Sequence, residues 1–361
     1  MESNRQITMI QAAAILVSSI IGVGVLALPL FAVRAANSGA TLVTLAAIMA
    51  AYAGLFIVTK LGLRFPEQSF VRYSEAIIGR IPAAIGTGMI ILFFAVLTAL
   101  AAREFGAVVV TSVLRETPVE VTVIVMLLLA AVSTRNDMRT FAYIHLFYTP
   151  FILAPCLLIV TLSLKNADTL YLQPIYGNSP PDIWGGILTI VALFQGTFIM
   201  TLVIPHMRHP RKAIAAGIWG MVVAGGLYFL IVVATVTVFG PEEVKNLIWP
   251  TLELAKTTSL PANILERLDA AFLSIWVTAV FTTLFSSYYL TVQYLSQLLR
   301  LRDHKLFSWF LAPFVFLLAM LPSNIVVLYE IIVLVGRIGL ILTIAYPLLL
   351  LLVAALRNVK G

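Results

Sequence analysis

Charged side chains are scarce in this 361-residue chain, at 11% of residues, and it has a single cysteine and only four histidines. Soluble domains run at about 25% charged and about 45–50% apolar. Here 61% of residues are hydrophobic and the mean hydropathy is +1.03, so no soluble fold could hide the apolar surface. The lone Cys156 lies inside an apolar run, which excludes an intrachain disulfide and reads as a small buried hydrophobe. His145, His206, His209 and His304 fall near the ends of apolar runs without a Cys/His cluster, so neither a metal site nor a cofactor is expected. No Ser/His, Cys/His or metal-ligand arrangement supports an enzyme. The net charge of +7 is carried by basic residues in short loops, with no aromatic-interleaved basic domain, so no nucleic-acid partner is expected.

What the chain has is apolar length. Ten runs stand out, at 8–33, 40–63, 83–114, 119–133, 141–164, 184–205, 213–239, 268–298, 306–321 and 325–356. Most reach the roughly 20 residues that cross about 30 Å of hydrocarbon. The first run exceeds the roughly 7–15 apolar residues of a signal peptide and is kept as a span. The expectation is one all-α, multi-pass membrane domain over 1–361, with lipid as its solvent. Fifteen lysines and arginines fall on the side of the two termini and six on the other, with Arg103 and Arg337 inside spans, which accounts for all 23. The positive-inside rule then places both termini in the cytoplasm. Two segments on the outer side, 165–183 and 240–267, are too long for simple turns, and the second is expected to lie on or dip into the outer face. On the cytoplasmic side 67–80 reads as a surface helix, with Phe70, Tyr73, Ala76 and Ile77 at helical spacing, serving either partner contact or as a solvated connector.

The first run carries Gly22 and Gly24, with Pro29 beyond them; the sixth carries Phe194, Gln195, Gly196 and Thr197, with Pro205 beyond. Glycine costs about 1 kcal/mol and proline about 3 kcal/mol inside a helix, so both runs are candidates for local unwinding. Ten spans dividing as five and five, each half opening on an interrupted helix, suggest two inverted five-helix repeats, 8–164 and 184–356. Unwound backbone in lipid needs polar partners, and a polar ligand or ion can supply them. Close helix packing is the competing reason for such glycines. On the ligand reading, Gly196→Leu would fill the ligand's place and disfavour a glycine-specific backbone conformation.

Span eight offers Thr282, Thr283, Ser286 and Ser287, a polar stripe able to bind a ligand, with Ser286 and Ser287 as a possible cation site, or able merely to bond back to its own helix. Arg103 and Glu104 in span three, and Glu330 and Arg337 seven apart in span ten, are intramembrane charges that pair, line a polar path or, for Arg103 and Glu104, lie at the interface.

The chain resembles the B subunit of bacterial spore germinant receptors, a branch of the amino acid-polyamine-organocation transporter superfamily. The residues that carry the resemblance are Ile21-Gly22-Val23-Gly24-Val25-Leu26-Ala27-Leu28-Pro29, the segment Leu247-Ile248-Trp249-Pro250-Thr251, and Glu266-Arg267 leading into the aromatic-rich 272–289. The resemblance implies the superfamily fold of two inverted repeats with broken first and sixth helices. It also implies a nutrient sensor at the spore inner membrane, assembled with a second membrane subunit bearing a soluble domain and with a lipoprotein. Carried over by position, the ligand, such as an amino acid, would be lined by Gly22 and Gly24, Phe93 and Leu97, Phe194, Gln195, Gly196 and Thr197, and Thr282 and Thr283. A cation-coupled amino acid transporter in a bacterial cell membrane is the second reading.

Overall fold

The computed structural model describes residues 6–175, 183–257, 268–301 and 303–359, with the backbone alone at 268–270. Arg5, Glu266, Arg267, Arg302 and Lys360, which entered the charge tally or the resemblance, lie outside the described residues. Within them the chain is helical, apart from an isolated bridge between Ile7 and Met207.

Span one is a pair of helices, Met9–Ile20 and Gly24–Ala36, and span two is Ala40–Arg64. Spans three, four and five are Arg80–Ser112, Val119–Thr134 and Met138–Ser163. Span six is the pair Ile183–Ala192 and Gln195–His206, bent by 43°. Spans seven, eight and nine are Ala213–Val244, Leu268–Leu298 and Lys305–Ala319, and span ten runs from Ile325–Leu340 through a π turn into Tyr346–Leu356. Six helical stretches are long and apolar enough to cross a membrane unaided, and the bent pair is a seventh. One of the six, Gly24–Arg64, is the second half of span one running into span two through a tight turn at Asn37–Gly39. The shorter apolar helices Met9–Ile20, Val119–Thr134 and Lys305–Ala319 complete the ten. The breaks thus fall where the glycines mark them.

Local chemistry sets the ends. Thr8 and Gln11 form a capping box at the start of span one, and Asn324 opens span ten by accepting from the Val326 and Val327 N–H groups at 3.0 Å. Asp137 caps span five, and the hydrogen bonds it accepts from Thr140 hold its carboxyl below the usual carboxylate range. Gly79, with φ of 88°, turns the chain from the helix Phe70–Ile78 into span three, a conformation that L side chains resist.

The packing repeats itself. Span one lies on span seven as span six lies on span two, and span one meets span five as span six meets span ten. Span four touches span eight as span nine touches span three, while three with eight and two with seven pair across the centre. Exchanging one for six, two for seven and so on maps these contacts onto one another, as two inverted five-helix repeats require.

Arg64 Nε donates to the Val359 carbonyl at 2.7 Å and Ile7 is bridged to Met207, so both ends of the described chain share one face, here the terminal face. The helix Phe70–Ile78 on that face is no solvated connector. Phe70, Tyr73 and Ile77 are buried, with Phe70 stacked on Tyr294 at 5.5 Å and edge-on to Tyr73 at 5.3 Å, while Ala76 points outward and Ser74 takes the inward place expected of Ala76. On the distal face Pro250–Thr257 is drawn into the protein rather than laid on its surface, with Pro250, Thr251, Leu252, Leu254 and Ala255 buried.

Candidate functional site

Unwinding span one between its two helices leaves carbonyl oxygens pointing away from their own helix, and five in and just beyond the break are met by side chains of this protein. Thr282 Oγ1 donates to Ser18 O at 3.0 Å, Tyr228 OH to Ile20 O at 2.8 Å and Thr283 Oγ1 to Ile21 O at 3.2 Å. Trp276 Nε1 donates to Gly22 O at 3.2 Å and Thr251 Oγ1 to Val25 O at 2.7 Å. Spans seven and eight and the Pro250–Thr257 helix thus supply protein partners to these carbonyls, where a ligand or ion was the expected supplier.

The glycines serve the close packing that was the competing reading, and not a glycine-specific backbone conformation. None of Gly22, Gly24 and Gly196 has a positive φ; each allows a close approach. A Cβ at Gly22 would lie 2.3 Å from Thr283 Oγ1, one at Gly24 2.9 Å from Leu193 Cδ2, and one at Gly196 2.2 Å from the Ser19 carbonyl oxygen. The two breaks therefore touch, backbone against backbone, and a leucine at 196 would strike span one rather than occupy a ligand's space.

Beside this crossing lies a cavity of ≈ 100 Å³. At about 10–15 Å³ for one water position, that is room for a molecule of on the order of seven to ten heavy atoms. Among the expected residues, Gly24, Leu97, Gln195, Gly196 and Thr283 line it, joined by Ser286, Ser287 and Glu104. Gly22, Phe93, Phe194, Thr197 and Thr282 do not. Gly22 abuts Thr283, and Thr282 is committed to the Ser18 and Ala279 carbonyls. Phe93 packs on Phe94 and against Gly339 of span ten, while Phe194 stands edge-on to Tyr228 at 5.2 Å. Thr197 is buried beside the cavity rather than on its wall.

The charges separate. Glu104 is 2% exposed and accepts from Tyr329 OH at 2.8 Å. Arg103, half-buried, reaches the Pro322 carbonyl at 3.4 Å in the connection between spans nine and ten. Glu330 and Arg337 are exposed and line a wider cleft of ≈ 610 Å³ on the distal face, together with Arg34 and Lys245. Arg337 also donates to Thr189 Oγ1 at 3.1 Å and Gly185 O at 3.0 Å on span six. Phe31, Thr189, Tyr329 and Val333 line both the cleft and the cavity and so form the wall between them. Phe31 and Tyr329 meet edge-on at 5.9 Å, and Trp249 Nε1 holds Tyr329 OH at 2.9 Å from the distal side.

Ser286 and Ser287 are engaged by protein. Ser286 Oγ pairs with Ser19 Oγ at 2.7 Å and with His145 Nε2 at 3.2 Å, while Thr98 donates to Ser287 Oγ at 2.8 Å. His145 is not a loop-end residue: it is fully buried on span five, with Nδ1 2.6 Å from Ser18 Oγ, and so ties spans one, five and eight. Reading the sequence missed His145, Tyr228, Trp276, Tyr329 and Thr251. The available signal was a polar handle within an apolar run, since buried Tyr, Trp and His need partners. Among the described residues no three His, Cys, Asp or Glu side chains are placed to share a metal ion.

Known proteins agree with this architecture. The solved structure of Mhp1, a nucleobase-cation-symport-1 family transporter in a closed conformation with bromovinylhydantoin bound, superposes with a TM-score of 0.73 at 16% identity, covering 94% of this chain and 77% of that one. A Na+-coupled sialic acid symporter in a substrate-bound outward-open state gives a TM-score of 0.68 at 12% identity, covering 94% and 79%. At such identities the likeness is one of fold. In sequence, spore germination protein YndE of Bacillus subtilis (strain 168) is 25% identical over 355 residues, 98% of this chain and 97% of its own. Spore germination protein GerLB of Bacillus cereus is 24% identical over 348 residues, 95% and 93% of the two chains. Residues 6–326 match the family described as Spore germination protein, and to that family this multi-pass membrane chain belongs.

Proposed function

We propose that the chain is the membrane subunit of a nutrient-germinant receptor, binding a small nutrient such as an amino acid near the midplane and passing the event to its partners. The observation that carries the reading is the cavity where the two helix breaks touch, in a chain of the spore germination family. A ligand there contacts Gly24 of span one, Leu97 of span three, Gln195 and Gly196 of span six and Thr283 of span eight, four spans drawn from both repeats. A molecule held between the repeats shifts a two-state equilibrium only through unequal affinity for the two arrangements. The wall formed by Phe31 and Tyr329 is the natural moving part, since it divides the cavity from the distal cleft. The excess of Lys and Arg on the terminal face supports cytoplasmic termini and a distal cleft facing the outside of the spore inner membrane. Two further receptor subunits, one membrane protein with a soluble domain and one lipoprotein, complete the proposed assembly.

The test is purification of the tagged chain from spore membranes, with deletion strains alongside. Co-elution with those two subunits, and loss of nutrient germination but not of receptor-independent germination on deletion, is the expected result. A chain that elutes alone and whose deletion leaves every nutrient response intact would refute the assignment. A second reading, cation-coupled amino acid transport, is favoured by the symporter likeness of the fold. It predicts gradient-driven, saturable amino acid uptake into proteoliposomes containing this chain alone. The hydroxyls of Thr282 and Thr283 on the Ser18 and Ile21 carbonyls weigh against it, because a cation in that place would have to displace them.

A further inference from the structure

The cavity wall is short of hydrogen-bond donors and holds unmet acceptors. Among the described residues Glu104 is the one carboxylate lining it, and of its two oxygens Oε1 accepts from Tyr329 OH. No described residue donates to Oε2. Gln195 donates from Nε2 to the Gly336 carbonyl at 2.6 Å, which fixes the orientation of its amide because a carbonyl can only accept. That leaves Gln195 Oε1 buried and without a donor. Ser287 donates within span eight to the Thr283 and Leu284 carbonyls, and Ser286 Oγ is shared among the Thr282 carbonyl, Ser19 Oγ and His145 Nε2. The remaining hydroxyls of the lining are engaged as well, Ser19 with Ser286 Oγ, Thr189 with the Gly185 carbonyl and Thr283 with the Ser18 and Ile21 carbonyls, and the other lining residues, including Leu97, Leu100, Ile332 and Val333, are apolar. Arg103, the neighbouring cation in sequence, is turned away to Pro322.

A buried carboxylate with one donor, in a mostly apolar wall whose hydroxyls are otherwise engaged, lacks a countercharge and further hydrogen bonds. A ligand that brings a protonated amine supplies both at once: its N–H groups reach Glu104 Oε2 and Gln195 Oε1, and its charge balances the carboxylate. A hydroxyl in the same place offers one proton and no charge.

We propose that Glu104, seconded by Gln195, is the recognition point for a protonated amine, so that the cavity selects small ammonium-bearing molecules of on the order of seven to ten heavy atoms over their hydroxyl isosteres. This rests on the reading of the cavity as a ligand site and names the chemical class that it takes. Glu104 acts by direct contact, and Tyr329 positions it through the 2.8 Å hydrogen bond.

The experiment is thermal unfolding of the purified full chain in detergent, with titrated probes. The probes are L-alanine and L-valine, their hydroxyl counterparts L-lactate and 2-hydroxyisovalerate, and D-glucose and inosine as unrelated nutrients. Wild-type protein should be stabilised by an amino acid at a concentration at least about tenfold below that needed for its hydroxy acid, as a site built to bond an N–H discriminates against analogues lacking it. Glu104→Gln keeps the side chain's shape and an acceptor for Tyr329, and should abolish that preference; Glu104→Asp should restore part of it. Equal response to amine and hydroxyl partners, or stabilisation by glucose or inosine alone, overturns the amine site and leaves the receptor reading standing. Silence towards every probe overturns both. The wild-type comparison alone decides the point even if Glu104→Gln does not fold.

Discussion

A methyl group at position 196 would lie 2.2 Å from the Ser19 carbonyl oxygen and 2.7 Å from its carbon, and neither backbone atom has anywhere to go. Gly196→Ala is therefore expected to destabilise the chain by at least about 1–3 kcal/mol, the usual cost of overpacking. Gly226, on the outer side of span seven with nothing within 4 Å of its would-be Cβ, is the control. Gly226→Ala should be neutral or gain about 0.5–1 kcal/mol from helix propensity. Unfolding temperatures in detergent check both, and equal values for the two variants would show that the breaks do not touch. Tyr228 poses a second residue-scale question, since its hydroxyl donates to the Ile20 carbonyl in the break. Tyr228→Phe leaves that carbonyl unmet at a cost of about 1–3 kcal/mol. An unfolding temperature unchanged in Tyr228→Phe would mean that the carbonyl has another partner.

The interrupted helices were legible in the sequence because glycine and proline punctuate an apolar run in the same way in both halves, at Gly22, Gly24 and Pro29 and again at Gly196 and Pro205. The partners of the breaks were not, because Tyr228, Trp276 and Thr251 are brought there by packing between elements far apart in the chain. The same holds for Glu104, whose distinction from Arg103 is one of direction: the two are adjacent on span three, and the helix turns one towards the cavity and the other towards Pro322. Phe93 and Leu97, one turn apart, were expected to share the site; only Leu97 reaches it, as Phe93 is taken up by Gly339 of span ten. Element packing also gives His145 its role, clasping Ser18 of span one and Ser286 of span eight from span five. His145→Phe keeps an aromatic ring but removes both ring nitrogens that hold Ser18 and Ser286, so it should loosen span five from the bundle. Hydrogen exchange is the check: amides at 141–149 should exchange faster in the variant, and unchanged protection would mean that stacking on Phe141 and Phe285 suffices. The distal wall is a second element-scale device, with Trp249 of the Ile-Trp-Pro-Thr segment holding Tyr329 across the cavity. Trp249→Phe removes that bond and should speed labelling of a cysteine placed at Ala101 by a small thiol reagent, in a Cys156→Ser background that leaves no other thiol. An unchanged labelling rate would mean that Tyr329 does not control access.

On the scale of the whole molecule, two five-helix repeats meet at two broken helices, and the cavity lies where both breaks, span three, span eight and span ten converge. Any molecule held there touches both repeats, which is the geometry that couples occupancy to their relative position. Leu97 is the place to test this coupling with one substitution, since it faces the cavity and takes no part in the hydrogen bonds that hold the breaks. Leu97→Trp adds bulk to a space of ≈ 100 Å³ without disturbing those bonds. The measurement is nutrient-triggered germination of spores carrying Leu97→Trp, read beside the level of the protein in the spore membrane and beside a trigger that bypasses the receptor. Normal protein, normal bypass germination and a lost nutrient response are the expected result. A wild-type nutrient response at normal protein level would contradict it.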